Sequence, residues 1–440
     1  GSQGNFNPNT PGNPQIPNGG DAGDLILDTT RFIVRDGAQV ISGTRTSGKG
    51  GMLRITASES VELIGTTSDG LFPSGLFSAN RGFDNLGNPT ISNGGDADKI
   101  IIDTGRLIVR DGAVVSASTQ TSGQGGILQI TASDSIELSG TSPDGQHPSA
   151  LITRSGDFRP NNSIVSGTGK AGNLIINTGR LLVRDRAVIS SSSFGEGTAG
   201  NINITVRDTL QANNGTIGTD STQTQGGAIA IRTANIRLFG DSDIRSNVAS
   251  GAGGGGNIDI KADSILAFGD SDILAFARDG RGGDITLDTP AFFGENYRRA
   301  PRSTDPATLN GNNRVDINAT GNLASGTIVL PDTTFIRNSL TELPDNQINT
   351  DQLIANSCIV RRSRPTSGSF TVTGTGGLKE RPGDAQMSNF PTVDVETLPS
   401  DSTPSNTNPN RSWQKGDSIV EPQGVYRLPN GKLVMSRECP

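Results

Sequence analysis

The chain has 440 residues, with 37 Lys and Arg against 44 Asp and Glu, a formal net charge of −7. No basic cluster stands out, which argues against nucleic acid as a partner, and no apolar run approaches the roughly 18–20 residues of a membrane span. The aromatics are 15 Phe, 2 Tyr and 1 Trp against 59 Gly and 23 Pro; that excludes a large globular core but not a solenoid, whose interior is a narrow column.

Residues 1–18, GSQGNFNPNTPGNPQIPN, lack apolar periodicity and read as a disordered arm or the end of a truncated coil. From residue 19 the text repeats. GGDAGDLILDTTRFIVRDGAQVISGTRTSGKGGMLRITASESVELIG (19–65) returns almost unchanged at 94–140, with Asp36 and Asp111 lying 75 positions apart. A third, worn copy, AGNLIINTGRLLVRDRAVISSSS, places Asp185 a further 74 positions on. An internal repeat governs the whole fold assignment.

A shorter unit lies inside the long one. The pattern Gly-x-Leu/Ile-x-Ile, with Leu27 and Leu287 in its last place and Asp98 once in its first, recurs at Leu25, Leu53, Ile100, Leu128, Leu174, Ile202, Ile229, Ile258 and Ile285, in steps of 28, 47, 28, 46, 28, 27, 29 and 27. Each unit holds about three period-two alternations, separated by Gly, Asn, Ser and Asp turns, with no helical periodicity. Units of that size close only as coils stacked on one another. The expected fold is all-β: a single-stranded right-handed parallel β-helix of about ten coils over 19–336.

The two long steps carry inserts, at 66–92 and 141–168. Pro73-Ser74 and Pro148-Ser149 lie 75 apart, so both inserts leave the solenoid at the same angular position and form a ridge. Insertions on one face are a common binding surface. Phe72, Phe77, Arg81 and Phe83 in the first insert, with Arg154 and Phe158 in the second, are the candidate ligand-binding residues. The plainer reading is that the Phe side chains fold the loops onto the wall.

Further on, GAGGGGNIDI from Gly251 does not fit the calcium-binding nonapeptide Gly-Gly-x-Gly-x-Asp and reads as a turn. Phe239-Gly-Asp241-Ser-Asp243 recurs as Phe268-Gly-Asp270-Ser-Asp272, 29 positions or one coil later. Asp241 and Asp243 would then lie beside Asp270 and Asp272, about 4.8 Å away. Like charges so placed repel unless solvated or bridged, and Ca²⁺ takes such oxygen clusters; the competing role is a turn whose Asp side chains bond their own backbone. The Asp of the VRDGA motif, at Asp36, Asp111 and Asp185, recurs too sparsely to share an ion and reads as a turn residue. Calcium is therefore the one cofactor considered.

Residues 295–313 read as a loop carrying Arg298, Arg299 and Arg302. Residues 314–336 resume strand text. A cap and Cys-containing segment is expected over 337–384, a linker over 385–411 and a β-hairpin tail over 412–440. In the tail, Val425–Leu428 and Lys432–Met435 flank Pro429-Asn430-Gly431, a strong hairpin signal in which Asn-Gly suits a type I′ turn. Cys358 and Cys439 bracket linker and hairpin. A bridge between them would contribute about 4 kcal/mol; free thiols or pairing with another chain are the alternatives.

The repeat text together with IANSCIVRRSRPTSGSFTVTGTGG (354–377) and SWQKGDSIVEPQGVYRLPNGKLVMSRECP (412–440) resembles the filamentous-haemagglutinin-like exoproteins of the two-partner secretion class, in the form common in cyanobacteria. The resemblance spans roughly 19–384 and 412–440. It implies export through an outer-membrane partner, residence outside the cell and a role in adhesion to cells or extracellular polysaccharide. The family's amino-terminal secretion domain is not in this text, so a carboxy-terminal portion of a longer protein is the expectation. Parallel β-helices also include polysaccharide lyases and hydrolases. The lone His147 supplies no Ser-His-Asp group or multi-His metal site within one chain, so a non-enzymatic role is expected.

Overall fold

A computed structural model describes residues 20–44, 47–79, 94–158, 164–165, 167–299, 308–331, 424–427 and 433–436. These residues form strands and turns and no α-helix. The chain divides into two units, Gly1–Arg337 and Asn338–Pro440.

In the first unit long and short strands follow one another. β1 (Leu25–Arg35) is followed by β2 (Gln39–Ile41), β3 (Leu53–Ile64) by β4 (Gly75–Phe77), and β5 (Ile100–Arg110) by β6 (Val114–Ser116). β7 (Leu128–Ser139) leads to β8 (Ala150–Ser155) and a small antiparallel pair, β9 (Asp157–Phe158) and β10 (Ile164–Val165). Then come β11 (Leu174–Arg184) and β12 (Val188–Ser193), β13 (Ile202–Asn213) and β14 (Thr216–Gly218), β15 (Ile229–Phe239) and β16 (Asp243–Arg245), and β17 (Ile258–Ala267) and β18 (Ile273–Leu274). The last rungs are β19 (Ile285–Asp288), β20 (Phe292–Gly294), β21 (Arg298–Arg299), β22 (Asp316–Asn318) and β23 (Ile328–Val329).

The long strands stack in parallel in the order β1-β3-β5-β7-β11-β13-β15-β17-β19-β23, ten rungs, and the short ones in the order β2-β4-β6-β8-β12-β14-β16-β18-β22-β21. A third side is marked by single parallel bridges, Ser193 to Ser221, Ser221 to Val248 and Val248 to Ala277. This is a parallel β-helix with two continuous sheets. The nine positions of the Gly-x-Leu/Ile-x-Ile pattern each open a long strand, and all but Leu25 are fully buried. Ile328 opens a tenth, 43 positions after Ile285.

The long strands from β1 to β17 each bend in the middle and so cover two sides. In β3, Leu53, Ile55 and Ala57 point inward, Ser58 and Glu59 turn the corner, and Val61 and Leu63 point inward again. In β5 the corner is one residue shorter, at Gly105, and the register shifts there. The 11-residue strands β1, β5 and β11 alternate with the 12-residue strands β3, β7 and β13. Two coil types in alternation explain why the text repeats near 75 rather than at 28. The shorter corner has its own clasp: Thr29, Thr104 and Thr178 hydroxyls donate to the carbonyls of Arg31, Arg106 and Arg180.

The VRDGA motif turns the chain from long to short strand. Asp36, Asp111 and Asp185 have φ of 58, 57 and 56°, and Gly37 and Gly112 of 80 and 88°. The amides of Ala38 and Ala113 close each turn onto Arg35 and Arg110. Two successive left-handed residues make a type I′ turn. In the third copy Arg186 holds the Gly place at φ 69°. Arg186→Gly is expected to exceed Arg186→Ala in stability by about 1 kcal/mol, since both lose the guanidinium bond to Gly145 but only Ala keeps the strain of an L residue there; a melting-temperature comparison of the two variants checks it, and equal values would count against the strain.

Two expectations change. The stretches 66–92 and 141–168 are not wholly inserted, because β4 and β8 within them are wall strands. The loop 295–313 contains β21, which pairs with β22. In the second unit, β24 (Gly424–Arg427) and β25 (Leu433–Ser436) form the expected antiparallel pair, with Arg427 opposite Leu433. Cys358, Cys439 and the segments around them lie outside the described residues.

Candidate functional site

The ridge begins at the base of each protruding loop. Thr66 bridges Pro73 antiparallel, and Thr141 bridges Pro148 in the same way. Ser74 and Ser149, fully buried, anchor these bases: each hydroxyl donates to the preceding strand, at Ile64 and Ser139, and accepts the amide of Gly37 or Gly112. The hairpin feet are thus tied to the I′ turns of the coil below.

Inside each loop an Asp organises the tip. Asp69 accepts the Thr67 hydroxyl at 2.5 Å and the Leu71 amide at 3.0 Å. Asp144 accepts the Ser142 hydroxyl and the Gln146 amide. These bonds, the hydroxyl foremost, hold both carboxyls below the usual range. Gly70 packs over the Asp144 carboxylate, and the Arg186 guanidinium donates to the Gly145 carbonyl at 3.1 Å. The two hairpins and Arg186 therefore form one stacked ridge. Leu71 and Phe72 stand on it at 63% and 55% exposure.

The other candidate ridge residues are dispersed. Phe77 belongs to β4 and is 4% exposed, so it is part of the wall rather than the ridge. Arg154 lies on β8, its guanidinium 5.7 Å from the centre of the Phe194 ring. Phe158 falls in β9, opposite Ile164. Arg81 and Phe83 lie outside the described residues.

The acidic ladder is real in register. Ile244, Ile273 and Ile317 pair in one column, which sets Asp243, Asp272 and Asp316 beside them on successive rungs. The ladder is covered rather than open: Asp243, Asp272 and Asp316 are 7%, 1% and 0% exposed. Asp272 accepts the Asp316 amide at 2.9 Å. Asp316 pairs with Arg314 at 2.9 Å and accepts the Asn312 amide group. Asp243 faces Arg245 at 3.6 Å, which also reaches Asp220 at 3.3 Å. Burial pushes the Asp243 carboxyl up to about 6 and that of Asp272 up to about 8.

Asp270, two residues before Asp272, has partners of its own. Its carboxylate accepts the backbone amides of Gly311, Asn312 and Asn313 and so clamps the segment returning from 295–313. Asp241 is exposed in the turn, its amide bonded to Asn214. Among the described residues no three His, Cys, Asp or Glu side chains are placed to hold a metal ion. Asp316 escaped the sequence reading because the excursion at 295–315 stretches the coil spacing from 29 to 44.

Among the described residues no helix is long and apolar enough to cross a membrane. No family model, curated protein or solved structure matches the chain.

Proposed function

We propose that this chain is an extracellular stalk of the filamentous-haemagglutinin-like kind, exported through an outer-membrane partner, that adheres to cells or to extracellular polysaccharide. The observation that carries the reading is the stacked ridge. Two loops leave successive coil pairs at one angular position, are tied at their feet by Ser74 and Ser149, and hold Leu71 and Phe72 out in solvent. Large apolar side chains on a braced protrusion suit contact with another surface. The resemblance of the repeat and tail text supports export and adhesion.

Binding of the purified protein to whole cells and a panel of polysaccharides tests this, with and without Ca²⁺ and with an assay for new sugar ends. Binding without cleavage is expected, and Leu71→Ser with Phe72→Ser is expected to weaken it about tenfold or more at unchanged melting temperature, the worth of burying two such side chains. Release of new sugar ends would overturn the non-enzymatic reading in favour of a β-helix lyase or hydrolase. Failure to bind anything would remove the adhesive role.

A further inference from the structure

The most strictly repeated text, RFIVR, RLIVR and RLLVR, places arginines where the core makes no demand. In β1, β5 and β11 the inward residues are Phe32 and Val34, Leu107 and Val109, and Leu181 and Val183. The alternate residues face outward. Register stacks Arg31, Ser60, Arg106, Ser135 and Arg180 in one column. Arg35, Ile64, Arg110, Ser139 and Arg184 form a second, and Ile33, Glu62, Ile108, Glu137 and Leu182 run between them.

The result is a grid on one side of an acidic protein. Arginines recur every second rung, about 9.6 Å apart along the axis, and the two columns are four residues or about 13 Å apart. Between them lies a stripe in which Ile33, Ile108 and Leu182 alternate with carboxylates. Arg106 and Arg180 are exposed and have no ion pair or side-chain hydrogen bond among the described residues. Arg31, Arg35 and Arg110 meet Glu59, Asp36 and Asp111 only at 3.7–3.8 Å, in pairs more than half exposed. Such pairs are weak and open to competition. Arg184 shows the reach available: it takes the Glu137 carboxylate from the neighbouring rung at 2.6 Å.

We propose that this face binds a linear polyuronate, a polysaccharide whose sugars carry carboxylates, laid along the solenoid axis. The arginine columns take the carboxylates in charge-assisted hydrogen bonds. The apolar stripe receives the C–H faces of the sugar rings, and the second carboxylate oxygens of Glu62 and Glu137, beyond those held by Ser60 and Arg184, accept sugar hydroxyls. The same two glutamates, with Asp36, Asp111 and Asp185 along the border, disfavour a densely charged nucleic acid or anionic bilayer. The inference rests on the extracellular-binding reading above and adds a ligand chemistry and a second surface to it.

The test measures binding of the whole protein to polygalacturonate, dextran sulfate and neutral dextran at low and high salt. Polygalacturonate is expected to bind in a salt-sensitive way, and neutral dextran not to bind. The triple variant Arg31→Gln, Arg106→Gln, Arg180→Gln is expected to lose at least about tenfold in affinity, since three exposed charge contacts are removed. Lys261→Gln, paired with Asp288 elsewhere on the sheet, should leave it unchanged. All three arginines are exposed, so an unaltered melting temperature shows that the variant folds. Equal binding of neutral dextran, preference for dextran sulfate with none for polygalacturonate, or an unaffected triple variant would each overturn the proposal. Cell or glycan binding through the ridge would survive that failure; loss of all binding in the unmodified protein would instead remove the broader reading.

Discussion

Between about pH 4 and pH 8 the protein is expected to lose stability as the pH rises, and Asp272→Asn is expected to remove most of that slope. Asp272 is 1% exposed, stacked between Asp243 and Asp316. Burial is the main cause that lifts its carboxyl to about 8, with Asp243, Asp316 and Asp270 adding to it and the Asp316 amide opposing. A carboxyl whose folded value lies above the unfolded 3.8 binds its proton more tightly when folded. Its stabilising share is complete below about pH 4 and is lost as pH climbs through 8. Asp243, lifted to about 6 by burial against the pull of Arg245, adds a smaller slope of the same sign between about 4 and 6. The full span for Asp272 is at most about 6 kcal/mol. Thermal unfolding followed at several pH values, in the protein and in Asp272→Asn, reads it directly. Because Asn stays neutral, the variant should melt higher than the protein at pH 8–9. Parallel pH curves for the two would show that the buried ladder does not hold a proton.

The rungs of this fold were legible because burial is periodic. An inward Leu or Ile two residues after a Gly marks every long strand but β5, where Asp98 takes the Gly place, and its spacing is the coil length. The same arithmetic put Asp243 under Asp272, since a 29-residue step is one turn of the solenoid. It failed where the coil is stretched: Asp316 and Ile328 lie beyond an excursion that adds some 15 residues to the usual step. It failed also where strands are short. Gly75–Phe77 is too brief to show alternation, so wall strand β4 reads as part of an insert. The binding surfaces were half legible. Pro73-Ser74 and Pro148-Ser149 announced the ridge by their spacing, but the burial of Phe77 depends on what packs outside the wall. The arginine grid was visible as letters and silent as chemistry, because one coil reveals which residues face outward but not which column they join.

Replacing Gly200 by Ala is expected to destabilise the protein by about 3 kcal/mol or more, the upper end of what overpacking costs. One glycine per coil sits two positions before nearly every long strand, and these form a column: Gly51, Gly126, Gly172, Gly200, Gly227, Gly256, Gly283 and Gly326. A Cβ on each would fall well inside van der Waals contact with the carbonyl of the coil below; on Gly200 it would meet the Gly172 carbonyl and the Ser191 hydroxyl. Neither can give way. The Gly172 carbonyl accepts hydrogen bonds from the buried Thr153 and Ser191 hydroxyls, at 2.7 and 2.6 Å. Coils stacked at about 4.8 Å leave no slack along the axis. Asp98 holds the equivalent place before β5, and its amide is held by the Ser78 hydroxyl. Gly254 supplies the control, since a Cβ there meets only the Arg281 carbonyl at 3.4 Å, ordinary contact. Gly254→Ala should change stability by less than about 0.5 kcal/mol. Chemical denaturation of both variants separates the cases: a large loss in Gly200→Ala alone assigns the glycine column to coil spacing, whereas equal small effects would mean that the stack can dilate to admit a methyl group.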